Sequence, residues 1–172
     1  MKKYGKYEVQ RILLFSLAYI ILYCIPVYPI NGLRISLASV PIYLSSIKYG
    51  DRISCMVALL GGFFVQAPIY GITIISILNV GILIFTTFVF SKLYNRFGEG
   101  KLYIICVAVE IMTILLTFLV DFVVSFIYGN SSPYFAYTIN INALSNKLVC
   151  GVIYSIISAF LVKFCKREIY GG

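Results

Sequence analysis

Six apolar stretches run along this chain, each long enough to enter or cross a bilayer, and short polar breaks separate them. They cover approximately residues 10–28, 32–48, 52–68, 71–91, 102–128 and 138–163. The first contains ILLFSLAYIILYCIPVY and is stopped by Pro26 and Pro29. No small-x-small cleavage site precedes Asn31, so this run is expected to stay as a span rather than leave as a signal peptide. The second begins with Arg34 and carries Pro41, which removes a backbone donor and predicts a kink or local unwinding in its middle. A tight turn, KYGDR, folds the third stretch back on the second. That third stretch holds Gly61 and Gly62 and ends at Gln66, Ala67 and Pro68. Ala58 and Gly62 form a small-xxx-small pair that lets another helix come close.

Composition turns the pattern into a class. The chain has 172 residues, 61% hydrophobic and 12% charged, with mean hydropathy +0.97. These values lie far from an ordinary soluble domain and describe an integral membrane protein. The polar breaks leave no room for a soluble domain. The predicted fold is therefore all-α: one compact bundle of six transmembrane helices spanning residues 1–172.

Charge sets the expected orientation. Net charge is +8, but the basic residues cluster between apolar runs instead of lining one face, so topology explains them and nucleic acid does not. Lys2, Lys3, Lys6, Arg11, Lys48, Arg52, Lys92, Arg96, Lys101, Lys163, Lys166 and Arg167 all fall at one end of an alternating six-span arrangement, twelve of the fourteen. The opposite connections, around 28–33, 67–71 and 129–137, hold none. With basic residues on the inner side, both termini are predicted to be cytoplasmic. Tyr28, Tyr70, Tyr128, Tyr134 and Tyr137 fall near the outer ends, where an amphipathic ring sits well.

Candidate chemistry is sparse. There is no histidine, and the five cysteines are scattered singly with no CxxC, so neither a metal site nor a metal or other cofactor is expected. No activated nucleophile, HExxH or phosphate loop appears, and an enzyme is not expected. What remains is a set of polar groups inside apolar stretches. Glu110 and Asp121 lie in the fifth, eleven residues apart and within about 20° of one helical face. Lys147 lies in the sixth, at a depth similar to Asp121 from the outer loop. Ionisable groups at such positions are expected to pair or to face a wet cavity. Asp121 and Lys147 either pair with each other or line an outward-facing pocket. Lys147 or Arg34 would then hold an anionic or carbonyl group of a ligand, and Asp121 a donor group. Arg34 can equally snorkel to head groups. Glu110, deeper, is open to helix packing or partner contact. The amides Asn31, Gln66, Asn79, Asn142 and Asn146 add to the outer half.

The run RISLASVPIYLSSIKYGDRISCMVALLGGF and the sixth stretch NALSNKLVCGVIYSIISAFL resemble the substrate-binding S components of energy-coupling-factor (ECF) transporters. The likeness rests on a proline-bearing second helix, a glycine turn, a glycine-containing third helix and a polar start to the last helix. It implies a six-helix subunit in the plasma membrane that captures a vitamin or related micronutrient near the outer face. Loops such as 28–33 and 67–71 would close over the ligand. Import would be driven by a separate transmembrane coupling subunit and paired ATPases; the chain has no P-loop of its own. The resemblance places ligand contacts at Lys147 and at Asn142 or Asn146. Partner contact is expected through Ser16 and Ala18, where many members carry an Ala-x-x-x-Ala pair, and through the small-residue pair Ala58 and Gly62. Metal-importing members rely on an N-terminal histidine and thiamine members on a pocket tryptophan; both residue types are absent here. Two other readings stay open: a non-transport membrane scaffold or assembly protein similar to the rod-shape D family, and an enzyme acting on lipid.

Overall fold

The computed structural model describes residues 5–25, 37–128 and 141–170, with the side chains of 69–70, 125–128, 141–143 and 168–170 left out. These residues form six α-helices: α1 Lys6–Cys24, α2 Ser39–Tyr49, α3 Asp51–Tyr70, α4 Ile74–Phe97, α5 Leu102–Tyr128 and α6 Ile141–Tyr170. A 3-10 turn, Glu99–Lys101, leads into α5, and no strand occurs among the described residues. Four helices, α1, α4, α5 and α6, are long and apolar enough to cross a membrane. The chain is a multi-pass membrane protein.

The breaks between helices follow from local chemistry. A single residue, Gly50, separates α2 from α3; its φ of 81° is a left-handed conformation that glycine adopts freely, and its N–H caps α2 by donating to the Ser46 carbonyl. At the start of α4 the Thr73 and Ser76 hydroxyls each accept the other's backbone N–H, a reciprocal cap that fixes where the helix begins.

Pro41 lies in the first turn of the described helix, which starts at Ser39. A proline there removes a donor that has no intrahelical partner in any case. Residues 32–36 of the expected second stretch lie outside the described residues.

Packing makes α2 the hub. It touches α1, α3, α4 and α6, while α3, α4, α5 and α6 follow one another as neighbours. Val40, Pro41, Ile42, Tyr43, Ser45 and Ser46 are buried, and the Tyr43 ring stacks on Phe90 of α4 with centroids 4.1 Å apart. Adjacent glycines serve opposite sides of α3. A Cβ on Gly61 would lie 2.7 Å from the Tyr19 ring of α1, and one on Gly62 would lie 3.0 Å from Leu83 of α4. Both neighbours approach as closely as they do because no side chain intervenes.

The residues expected at a partner surface take part in this packing to different degrees. Ser16 (4% exposed), Ala58 (0%) and Gly62 are buried within the bundle, where their small side chains serve contacts between helices of the same chain. Ala18 alone of the four is half-exposed.

Candidate ligand-binding site

The antiparallel register of neighbouring helices sets which polar residues share a level. Asp51 meets Lys92 across α3 and α4, and Gly62 faces Val80 and Leu83 one stage further along. Continuing by one turn brings Gln66 level with Asn79. On the other side of the bundle, a Cβ on Gly151 of α6 would run into Ile114 of α5 and lie 3.4 Å from the Glu110 Cγ. One turn further along α6, on the same face, stands Lys147, and within its electrostatic range on α5 is Asp121. Gln66, Asn79, Asp121 and Lys147 thus come from four consecutive helices, each about four to seven residues inside its helix end. At about 1.5 Å per residue, all four lie roughly 6–11 Å below the end opposite the basic one.

Their pairing is incomplete. Gln66 Oε1 and Asn79 Oδ1 are both fully shielded and accept no hydrogen bond from the described residues. Asp121 and Lys147 are half-buried and feel each other's charge, yet they do not approach within the 4.0 Å of an ion pair. The arrangement presents two amide oxygens, a carboxylate and an ammonium that the fold leaves with unused hydrogen-bonding capacity.

Of the remaining expected site residues, only Asn146 has a described side chain. Asn146 is exposed, turned about 100° around α6 from Lys147. Asn142 belongs to α6, but its side chain lies outside the described residues, as do Arg34 and Asn31 entirely.

Beneath this level lies a second polar group that the sequence pattern did not reveal. Tyr154, two turns below Lys147 on the same face of α6, accepts a hydrogen bond from the Ser39 N–H at 3.0 Å and shares another with the Ser39 hydroxyl. Ser39 Oγ in turn donates to Ser158 Oγ at 3.3 Å. A tyrosine from the last helix therefore satisfies a backbone donor at the start of α2. Glu110 lies within electrostatic range of Tyr19, Tyr43 and Tyr154 and makes no hydrogen bond or ion pair to another described residue. The spacing Lys147, Gly151, Tyr154, Ser158 is a helical stripe, and it is the one sequence signal that could have pointed to Tyr154.

No family model matches the chain, and no curated protein matches it. Among solved structures, the chain is similar to ThiT from Listeria monocytogenes serovar, with a TM-score of 0.60 and 18% sequence identity. The likeness covers 92% of this chain and 94% of that one. It shows that the chain shares the fold of ThiT over most of its length.

Proposed function

We propose that the chain is the high-affinity substrate-capture subunit of an ECF-type importer for a vitamin or related small organic micronutrient. The observation that carries this reading is the fold likeness to ThiT, an ECF S component for thiamine, over nearly the whole of both chains. The motif resemblance in the second, third and sixth stretches is independent of that likeness and agrees with it.

In this reading the six helices form one plasma-membrane domain with both termini cytoplasmic, and the basic end faces the cytoplasm. The level of Gln66, Asn79, Asp121 and Lys147 then lies in the outer half, where a ligand arrives. Lys147 holds an anionic or carbonyl group, Asp121 receives a donor, and apolar walls around them exclude water, as in small-molecule sites generally. The chain catalyses no reaction. A transmembrane coupling subunit and ATPase subunits supply the energy. The absence of tryptophan favours a substrate other than thiamine.

The test is a thermal-shift screen of the detergent-purified protein against water-soluble vitamins and their precursors, because a ligand that binds only the folded state raises the midpoint by mass action. One compound giving a large, saturable shift that is lost in Lys147→Ala and Asp121→Ala supports the reading. A flat panel, with those variants merely less stable, overturns it in favour of the scaffold alternative.

A further inference from the structure

Buried amide oxygens rarely go without a donor. Each one left unsatisfied bears the full desolvation penalty of the group, and a native fold keeps few of them. This chain keeps two at one level: Gln66 Oε1 on α3 and Asn79 Oδ1 on α4, on neighbouring helices whose register brings them opposite each other. Their own helices offer nothing, since the backbone N–H groups around them are engaged in the helical ladders. The hydroxyl nearest in sequence, that of Ser76, already donates to the Thr73 carbonyl. Leucine at either position would have removed the cost and kept the volume.

We infer that Gln66 and Asn79 form a paired acceptor edge that recognises a ligand by two neighbouring N–H donors, as on a cyclic urea or an amino-substituted ring amide. The inference rests on the capture-subunit reading and names the substrate class that site takes. Two carbonyl oxygens on adjacent helices match two donors on one planar edge, and a ligand without those donors would leave both oxygens buried and unpaired in the complex. Discrimination of this kind is strong, because the wrong ligand bears the full cost of the unsatisfied groups. Asp121 and Lys147 at the same level supply one further acceptor and one donor. The substrate is therefore a polar ring with N–H groups along one edge and an acceptor or anionic group placed for Lys147.

The probes are biotin and folate, whose rings each offer two N–H-bearing nitrogens, and as controls riboflavin, whose ring offers a single N–H, and nicotinate, whose ring carries none. Each is titrated calorimetrically into the full-length protein and into Gln66→Leu and Asn79→Leu. The expected binder comes from the first group, and each substitution weakens it about tenfold while the ligand-free midpoint stays level or rises. The rise follows because leucine removes an unsatisfied oxygen without opening a cavity. If a compound binds and both variants bind it as tightly as the parent, the acceptor edge is wrong and the capture-subunit reading stands. A drop of several degrees in the ligand-free midpoint with unchanged affinity likewise overturns it, assigning the amides to internal packing. Should riboflavin or nicotinate alone bind, the substrate class is wrong. If none of the four produces heat, the inference falls, and the wider vitamin screen decides the reading beneath it.

Discussion

At the basic end of the bundle Asp51 meets Lys92 at 2.9 Å and Glu99 meets Lys166, whereas at the opposite level Gln66 and Asn79 hold oxygens that no donor among the described residues reaches. The basic end is well paired in other ways too: Arg11 lies over the Tyr49 ring at 4.6 Å, and Arg96 and Lys101 both lie over Phe97. Those contacts are exposed and individually weak, on the order of 0–1 kcal/mol each. The opposite level is shielded, so each missing partner there counts for more. Polar groups that the chain satisfies by itself are scaffold. The basic end also shields two hydroxyls without a partner among the described residues, Ser46 Oγ and Ser91 Oγ, so it is the pair of amides at one level, and not burial alone, that carries the inference of a ligand.

The comparison breaks most directly at Lys147. Replacing it with glutamine removes a charge-assisted bond worth about 1.5–3 kcal/mol, so affinity for the captured ligand should fall roughly 10- to 100-fold in calorimetry while the ligand-free midpoint moves little. Unchanged affinity would mean that the outer level is as purely structural as the basic end. Next in size is the packing between the two ends. Gly61→Val pushes a branched side chain into Tyr19 and should cost about 2–3 kcal/mol of stability by thermal unfolding. Gly81→Val, where a Cβ meets nothing within 4 Å, is the control and should unfold close to the parent.

Tyr154→Phe is milder. It strips the acceptor from the Ser39 N–H and should lower stability by about 1–2 kcal/mol, read as a shifted midpoint; no shift would mean that water replaces the hydroxyl and the start of α2 is not sealed. The smallest effect is at the basic end. The hydrogen bond and charge from Lys92 hold the Asp51 carboxyl below its ordinary value. A lowered carboxylate pKa contributes stability that is complete above the unfolded value and is lost as pH falls through the folded one. Stability should therefore be flat near neutrality and decline on acidification below the usual aspartate range. Asp51→Asn should remove that decline and cost about 0.5 kcal/mol at pH 7, as an exposed pair does.

Much of the helical layout was legible because apolar length is a coarse signal that tertiary contacts do not reverse. The KYGDR turn was legible too, since only glycine adopts the φ of Gly50 freely. Counting residues from the loops was enough to set Asp121 and Lys147 at one depth. Facing was harder to read. α1 is apolar nearly all round, so nothing in its pattern told that Ser16 points inward and Ala18 partly outward. The same ambiguity hid Gly62, whose small size suits a second chain as well as it suits α4. The Tyr154–Ser39 link joins residues 115 positions apart, and no local pattern encodes a pairing of that range.

That link also bears on how the protein is made. The described part of α2 is 11 residues, about 16 Å, roughly half the thickness of a hydrocarbon core. One of its first backbone donors is satisfied by a hydroxyl that the ribosome adds more than a hundred residues later. Until the last helix enters the membrane, the start of α2 lacks that partner and the Tyr154 side of its packing is missing. Assembly of the hub is consequently a late event in biosynthesis, and a chain truncated before α6 would present the quality-control proteases of its membrane with an unfinished second helix.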